Sequence, residues 1–214
     1  MQLGVKNIET SLDIIYNLEQ IAQNDPQKHW EIIEMLTVFV RNNSPYLPQE
    51  KSKGNLKTKI RTDIQAALTV IARINVEKDA KNQLLDLSNT DMQGVNLDGA
   101  NLAGANLYQV NLAGANLKGA NLSGTILSAS NLAEANLSGA NLTGSILNAA
   151  NLCGANLHQA NLHRANLFLA NLHYTNLSGA KLDQANLRDA NLYETDIQQA
   201  KYLDFKHMKS GDIL

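Results

Sequence analysis

Residues 95–124 read VNLDGANLAGANLYQVNLAGANLKGANLSG, and this five-residue pattern continues without an insertion from Leu87 to Ile197. Every fifth residue in that range is Leu, apart from Met92 and the terminal Ile197, which makes twenty-three units. A small residue, mostly Ala, lies two residues before each Leu, and the residue between them is usually Asn. The repeating unit is therefore Ala-Asn-Leu-x-x.

A period of five excludes a plain helix or strand, whose side chains repeat about every 3.6 and 2 residues. A short extended run followed by a corner does fit, because Ala and Leu then point to one side and Asn to the other. Gly at the second corner position, as in Gly99 and Gly104, supplies the positive φ that a type II turn requires. Four such corners close a coil of about 20 residues, and stacked coils pair at roughly 4.8 Å.

The tandem Ala-Asn-Leu-x-x units resemble those of the pentapeptide-repeat family, and the resemblance covers just over half of the chain. It implies a mainly β protein folded as a right-handed quadrilateral parallel β-helix. With four units per coil, the repeats predict five to six coils and a rod of roughly 25–30 Å. We expect Leu to fill the axis and the outward Asn residues to bond in rows along the stack.

The residues before the repeats predict three helices, from apolar positions at helical spacing and from capping residues. The expected ranges are Ser11 to about Gln23, Asp25–Pro26 to about Arg41, and Asp63 to about Arg73. Residues 43–58 are polar and contain prolines and a glycine, which predicts a flexible loop. Segments 14–22, 29–36 and 63–71 also resemble the helical part that precedes the repeats in a bacterial, cyanobacterial-like subset of the family.

The chain is therefore predicted to have three parts: a helical cap domain (1–84), the β-helix (85–200) and a C-terminal cap (201–214). A β-helix ends in an open coil with unpaired backbone groups, and such an edge invites aggregation. Covering both ends of the rod is the physical role that we expect for the two caps.

Composition limits the protein's class and location. Hydrophobic residues make up 44% and aromatic residues only 5%, as a narrow Leu and Ala core requires. A single cysteine excludes an internal disulfide and indicates a reducing compartment. We find no apolar run long enough to span a membrane and no hydrophobic segment of a signal peptide. The net charge of −2 leaves no basic face for nucleic acid, so a cytoplasmic protein without direct nucleic-acid binding is predicted.

One wall departs from the repeat on its outer side. Residues twenty apart are expected to stack, and Ile126 and Ile146 replace the outward Asn in successive coils. Thr125 and Ser145 replace the inward Ala there, which leaves a change of coil geometry open. A contiguous exposed apolar area usually marks an interface. The candidate interaction patch is Tyr108, Ile126, Ala129, Ile146, Ala149, Phe168 and Leu169.

Three interpretations of this patch are open. It binds an unknown protein partner or forms a homodimer, it is covered by the N-terminal helices folding back, or it has no role. Interaction is the preferred interpretation.

Cys153, His158, His163 and His173 are the candidates for chemistry. Cys153 and His173 lie twenty apart on one wall, whereas the other two histidines fall on the next two walls. Ligands on three walls of a rod cannot converge on zinc, and convex walls offer no pocket that excludes water. We therefore expect no metal, no cofactor and no catalytic residue.

The predicted function is a non-enzymatic structural or protein-interaction module that presents a rigid, possibly self-associating surface. One alternative follows from the resemblance, because some family members mimic DNA and protect type II topoisomerases from quinolones. Such mimicry needs a dense acidic surface, and the acidic residues here are scattered. They are Asp86, Asp91, Asp98, Glu134, Asp183, Asp189, Glu194 and Asp196. The other alternative, an enzyme using Cys153 and His173, lacks a third catalytic residue.

Overall fold

The computed structural model describes residues 8–46, 60–74 and 83–200. Its helices are α1 (Ile8–Asn24), α2 (His29–Asn43) and α3 (Thr62–Arg73), and a 3-10 turn at Pro26–Lys28 joins the first two. The repeat region follows as a solenoid. The predicted C-terminal cap, 201–214, lies outside the described residues, as do residues 47–58 of the predicted loop.

The solenoid is built from parallel bridges that each join a residue to the one twenty positions later. They run from the pair Asp86 and Asn106 to the pair Asn176 and Asp196. Within a wall, the backbone N–H of Asn106 donates to Leu85 O at 2.8 Å, and Leu107 N–H donates to Ile126 O at 2.8 Å. Four units per coil are therefore confirmed, while the handedness stays a prediction from the resemblance.

Each corner has a positive φ at its second position, as predicted for the glycines. Ten glycines have φ between 63° and 71°, and thirteen other residues adopt φ between 51° and 59° at the same position. From the second corner onward, a backbone hydrogen bond across the corner closes the turn, for example from Val95 N to Met92 O at 3.1 Å. The corner geometry thus does not depend on glycine being present.

The core is a column of central Leu side chains flanked by the small residues. Leu107, Leu127 and Leu137 are fully buried. Thr125 and Ser145 are also fully buried, and their hydroxyl groups donate to carbonyl oxygens at 2.7 Å and 2.8 Å. The backbone ladder continues past them without a change, so these substitutions do not alter the coil.

The outward Asn residues form the predicted rows. Asn131 Nδ2 donates to Asn111 Oδ1 at 3.0 Å, and Asn151 Nδ2 donates to Asn131 Oδ1 at 3.0 Å. The Oδ1 atom of Asn131 also accepts the backbone N–H of Ala133 at 3.3 Å. Each such amide therefore links its own corner to the preceding coil.

The helices differ from the prediction mainly at their ends. α1 begins three residues before Ser11. Asp25 accepts the N–H of Gln27, so it caps the 3-10 turn, and α2 starts only at His29. The later start of α2 arises because Pro26 opens a 3-10 turn, which is tighter than an α-helix.

The prediction that Asp63 caps the third helix is wrong. α3 begins at Thr62 with Arg61 at the N-cap, and Asp63 is fully buried in the first turn. The guanidinium group of Arg61 binds both carboxylate oxygens of Asp63, at 2.7 Å and 3.1 Å. A carboxylate is stabilised by the dipole at a helix N-terminus and by a bidentate arginine, which explains its position one step inside the helix.

The described helical residues join the first coil at several points. Ser44 O accepts the N–H of Asp91 at 2.7 Å, and Tyr46 N–H donates to Asn89 O at 2.8 Å. At the start of the predicted loop, Asn43 ends α2, Pro45 is bridged to Thr90, and Ser44 and Tyr46 hydrogen-bond to the coil. Within the described ranges, no helix is both long and apolar enough to cross a membrane.

Candidate functional site

The candidate patch lies on one face, here called the isoleucine wall, which is the wall centred on Leu87, Leu107, Leu127, Leu147, Leu167 and Leu187. Ile126 and Ile146 are bridged directly to each other in consecutive coils. Ile146 is 38% exposed, Tyr108 41% and Leu169 53%. Ala129 and Ala149 are also exposed, while Ile126 and Phe168 are half-buried. The seven predicted residues therefore come together over four coils.

The described helices leave this patch open. Their hydrogen bonds and their ion pair to the solenoid end on residues of the first coil, such as Asp86 and Asp91. Tyr108 and Ile146, in later coils, remain exposed to solvent. The interpretation that these helices fold back over the patch therefore does not describe this structure.

The two isoleucines interrupt the row of outward amides. On this wall Asn106 Nδ2 donates to Asp86 Oδ1 at 2.9 Å, and Asn186 Nδ2 donates to Asn166 Oδ1 at 3.0 Å. Between these two pairs, the side chains of Ile126 and Ile146 can neither donate nor accept a hydrogen bond. At these two positions the wall therefore lacks the side-chain hydrogen bonds between coils and has exposed apolar surface instead.

Of the two corner rows that border this wall, the one that follows its central Leu residues has no glycine, which the sequence interpretation missed. Its six residues have φ between 51° and 59°. They are Asn89, Gln109, Ala129, Ala149, Leu169 and Asp189. The left-handed conformation costs a residue with a Cβ roughly 1–2 kcal/mol, and the other three corner rows include several glycines. Local strain of this kind is concentrated at functional positions, so the missing glycines were the available signal.

Each end of the isoleucine wall has an ion pair. Arg41 contacts Asp86 at 3.0 Å at the first coil, and Arg188 contacts Asp189 at 3.6 Å at the last coil. Arg188 also lies over the Phe168 ring, 4.6 Å from its centroid. The apolar patch is therefore bordered by charges of both signs at both ends.

The repeat region matches a known family model, described as pentapeptide repeats, in eight copies over residues 86–119, 111–148, 130–167 and 170–201. The chain belongs to the pentapeptide-repeat family. Among curated proteins, no relative was found.

Solved pentapeptide-repeat proteins are similar over the solenoid. Rfr23 from the cyanobacterium Cyanothece is 34% identical, with a TM-score of 0.38, covering 53% of this chain and 88% of that one. HetL from the cyanobacterium Nostoc, involved in heterocyst differentiation regulation, is 34% identical with a TM-score of 0.20, covering 54% of this chain and 60% of HetL. QnrB1, a plasmid-mediated fluoroquinolone resistance protein, is 16% identical with a TM-score of 0.31, covering 55% and 73%. At these scores the likenesses support no shared partner.

The three histidines in the solenoid of this pentapeptide-repeat protein each contact the residue twenty positions later. His158 Nδ1 lies 2.8 Å from Ser178 Oγ, and His163 Nδ1 lies 2.9 Å from Asp183 Oδ2. These pairs occupy different walls, as predicted. Among the residues that the structure describes, no three His, Cys, Asp or Glu side chains form a possible metal site.

Cys153 and His173 are on the same wall, but the histidine is engaged elsewhere. Its Nδ1 donates to Tyr193 O at 3.0 Å, and its ring stacks on the Tyr193 ring at 5.2 Å. His173 is therefore held by Tyr193 in the coil that follows it.

A tyrosine pair around Glu194 was not found from the sequence. Hydrogen bonding to the Glu194 carboxylate, and then its negative charge, raise the pKa of Tyr174 and Tyr193 above their ordinary value. Both phenols are exposed, so the cluster is a surface network.

A cavity of about 230 Å³ opens in the helical region, beside Glu19, His29 and Arg73. Three of its polar side chains are paired: Arg73 contacts Glu19 at 3.3 Å, and His29 Nε2 donates to Ala22 O at 2.9 Å.

Proposed function

We propose that this chain is a non-enzymatic protein-interaction module and that the isoleucine wall is its binding face. The observation that carries the proposal is the replacement of two outward asparagines by Ile126 and Ile146 in bridged, consecutive coils, which leaves apolar surface exposed. Contiguous exposed apolar area on a soluble fold is typical of an interface.

The rigidity of the wall supports this function. Each strand of the wall is bonded to both neighbouring coils, as Leu127 N is to Ile146 O at 2.7 Å and Ile126 N is to Ala105 O at 3.0 Å. A surface that is already ordered loses little conformational entropy when a partner binds. The β-helix therefore serves as a flat, preformed platform.

We expect the seven residues of the patch to form the energetic centre of a larger interface. Binding energy is usually concentrated in a few apolar and aromatic residues surrounded by a polar rim. A stable complex buries about 800 Å² on each partner. The Asn residues and ion pairs around the patch would supply the remaining contact area.

The alternative function, mimicry of DNA to regulate a type II topoisomerase, has less support. Asp86 and Asp189 are each within ion-pair distance of an arginine, which reduces the free negative charge that a mimic of phosphate spacing would need. The cytoplasmic location stays a prediction.

A photo-crosslinking amino acid at Ser128 tests the proposed function. Ser128 lies on the isoleucine wall, and Ser138 has the same place in its repeat on the opposite wall; both are half-buried. In native cells we expect discrete protein adducts from position 128 and none from position 138. Adducts from 128 should disappear in the I126N/I146N variant. No adduct from 128, or the same adducts from both positions, would overturn the proposal.

A further inference from the structure

We propose that the partner of the isoleucine wall is a second copy of this chain, bound face to face with the two rods antiparallel. The twofold axis would run between the two facing walls, parallel to their strands and perpendicular to the rods. Along the rod it would lie midway between Ile126 and Ile146. This inference rests on the proposed function, since it names the partner of the same face.

The patch is nearly symmetric about that axis. Its centre consists of two equivalent pairs, Ile126 with Ala129 and Ile146 with Ala149, in bridged coils. One aromatic side chain follows on each side, Tyr108 one coil before and Phe168 one coil after. A twofold interface requires the same surface to complement itself. The proposed axis places Ile126 of one copy against Ile146 of the other, and Tyr108 against Phe168.

The polar atoms next to the isoleucines also match under this symmetry. Where the rows are continuous, an amide donates to the preceding coil and accepts from the following one, as Asn131 and Asn151 do. Ile126 therefore leaves Asn106 Oδ1 without its usual donor from the next coil. Ile146 leaves Asn166 Nδ2 without its usual acceptor from the preceding coil. The twofold axis places Asn106 of one copy opposite Asn166 of the other, which brings an open acceptor to an open donor.

The charges at the ends agree with antiparallel rods. The axis places the first coil of one copy, with Asp86 and Arg41, over the last coil of the other, with Arg188 and Asp189. Each end therefore offers opposite charges to its counterpart. Complementary charges of this kind favour one orientation of a complex over others. A parallel dimer would instead place each ion pair beside its own copy.

Solution mass and spin-label distances test this proposal on the full chain. Light scattering is expected to give twice 23.3 kDa for the wild type. The I126N/I146N variant should raise the dimer dissociation constant on the order of 100-fold. The labelled proteins carry C153A, which introduces the residue found at the same repeat position in Ala133.

Nitroxide labels at Asp98→Cys and Ser138→Cys then report the relative orientation of the two rods, through interlabel distances measured by pulsed electron paramagnetic resonance. Both sites lie on the wall opposite the interface and at the same repeat position. Ser138 is level with the proposed axis, so its two labels in the dimer lie directly across from each other. Asp98 lies two coils from the axis. The two Asp98 labels are therefore offset from each other along the rods by four coil spacings, or about 19 Å. We therefore expect a longer interlabel distance for Asp98 than for Ser138.

Equal distances at the two sites would indicate parallel rods and overturn the proposal. A dimer that survives in the I126N/I146N variant would overturn it as well, because the contact would lie elsewhere. A wild type that stays monomeric at hundreds of micromolar would exclude a second copy as the partner. In that case, adducts from position 128 to a different protein would still support the interaction function, so the two failures are distinguishable.

Discussion

The side-chain amide of Gln65 in α3 hydrogen-bonds twice to the backbone of Asn96: Nε2 donates to Asn96 O at 2.8 Å, and Asn96 N–H donates to Oε1 at 2.9 Å. One coil later, the backbone supplies the same pair of bonds, from Asn116 N to Val95 O and from Leu97 N to Asn116 O. The glutamine amide therefore takes the place of a peptide unit at the exposed start of a wall. We infer that α3 caps the first coil in this way.

Removing this amide is expected to destabilise the first coil. The Q65A variant removes both hydrogen bonds to the exposed backbone of Asn96, which should cost about 0.5–1.5 kcal/mol of unfolding free energy for each bond. Urea unfolding measures the loss, and hydrogen exchange at the Asn96 amide should become faster. The Q20A variant, at an exposed glutamine on α1, serves as the control. Unchanged exchange at Asn96 in Q65A would contradict a capping role for this contact.

The solenoid was predictable from the sequence because each of its features depends on a few neighbouring residues repeated many times. The burial of Leu107 and the amide row through Asn131 follow from the alternation of side chains along a short extended run. The coil of four units then determines which residues stack. Once the period was known, the grouping of Ile126 with Ile146 required only counting.

The features that were missed depend on single contacts between distant segments. Gln65 meets Asn96 across thirty-one positions, and no periodicity relates α3 to the coil. The burial of Asp63 depends on the rotamer of Arg61. By contrast, the contact between His163 and Asp183 joins residues twenty apart, so reading each side chain against its neighbour in the next coil would have found it.

The protein is expected to leave DNA supercoiling by gyrase unchanged, with or without a quinolone. Its acidic residues are scattered, and several of them are paired, as Asp183 is with His163 at 2.9 Å. A surface without dense negative charge does not reproduce the phosphate backbone. A supercoiling assay with increasing protein measures this directly. Protection of gyrase at stoichiometric concentration would revive the mimic interpretation.

The Glu194 carboxylate is expected to control the ionisation of two tyrosines. It raises the pKa of Tyr174 and Tyr193 through a hydrogen bond and then through its charge. In the E194Q variant the pKa of both phenols should fall toward the ordinary value of about 10. Ultraviolet absorbance of the phenolate during an alkaline titration measures the shift, with E134Q as a control on the same wall.

The sign of the linked stability change follows from the direction of these shifts. A pKa that is higher in the folded state stabilises the fold fully below about pH 10, where the unfolded phenol is also neutral. This contribution is lost as the pH rises through the folded-state pKa. The wild type should therefore lose stability relative to E194Q as the pH rises above about 10. Parallel stability curves for the two proteins would contradict the linkage.

Restoring the amide row is expected to leave the monomer stable. In I126N/I146N, new hydrogen bonds of about 0.5–1.5 kcal/mol each offset the lost apolar contact, so unfolding free energy should change by less than about 1 kcal/mol. The reverse change, N131I/N151I, breaks bonds of 3.0 Å on the next wall and should destabilise by about 1–3 kcal/mol. Urea unfolding at low protein concentration compares them. A larger loss in I126N/I146N would mean that the isoleucines are structural.

The glycine-free corner row predicts opposite effects for two matched substitutions. Ala149 has φ 56° and Gly144 has φ 65°, and a Cβ added at Gly144 would meet nothing within 4 Å. A residue with a Cβ is strained in the left-handed conformation, whereas glycine loses more conformational entropy on folding. The strain is the larger of the two costs, by about 0.5–1 kcal/mol. A149G should therefore raise the unfolding free energy by that amount, and G144A should lower it similarly.

The corner row also separates stability from binding. If the Ala149 methyl group contributes to the interface, A149G should weaken association, because that methyl group lies in the apolar patch. The same variant should still stabilise the monomer. G139A, at a corner that does not border the isoleucine wall and where an added Cβ also meets nothing within 4 Å, should leave association unchanged. Thermal unfolding and light scattering on the same samples measure the two effects. If A149G instead stabilised the monomer and left association intact, the missing glycines would have no connection with binding.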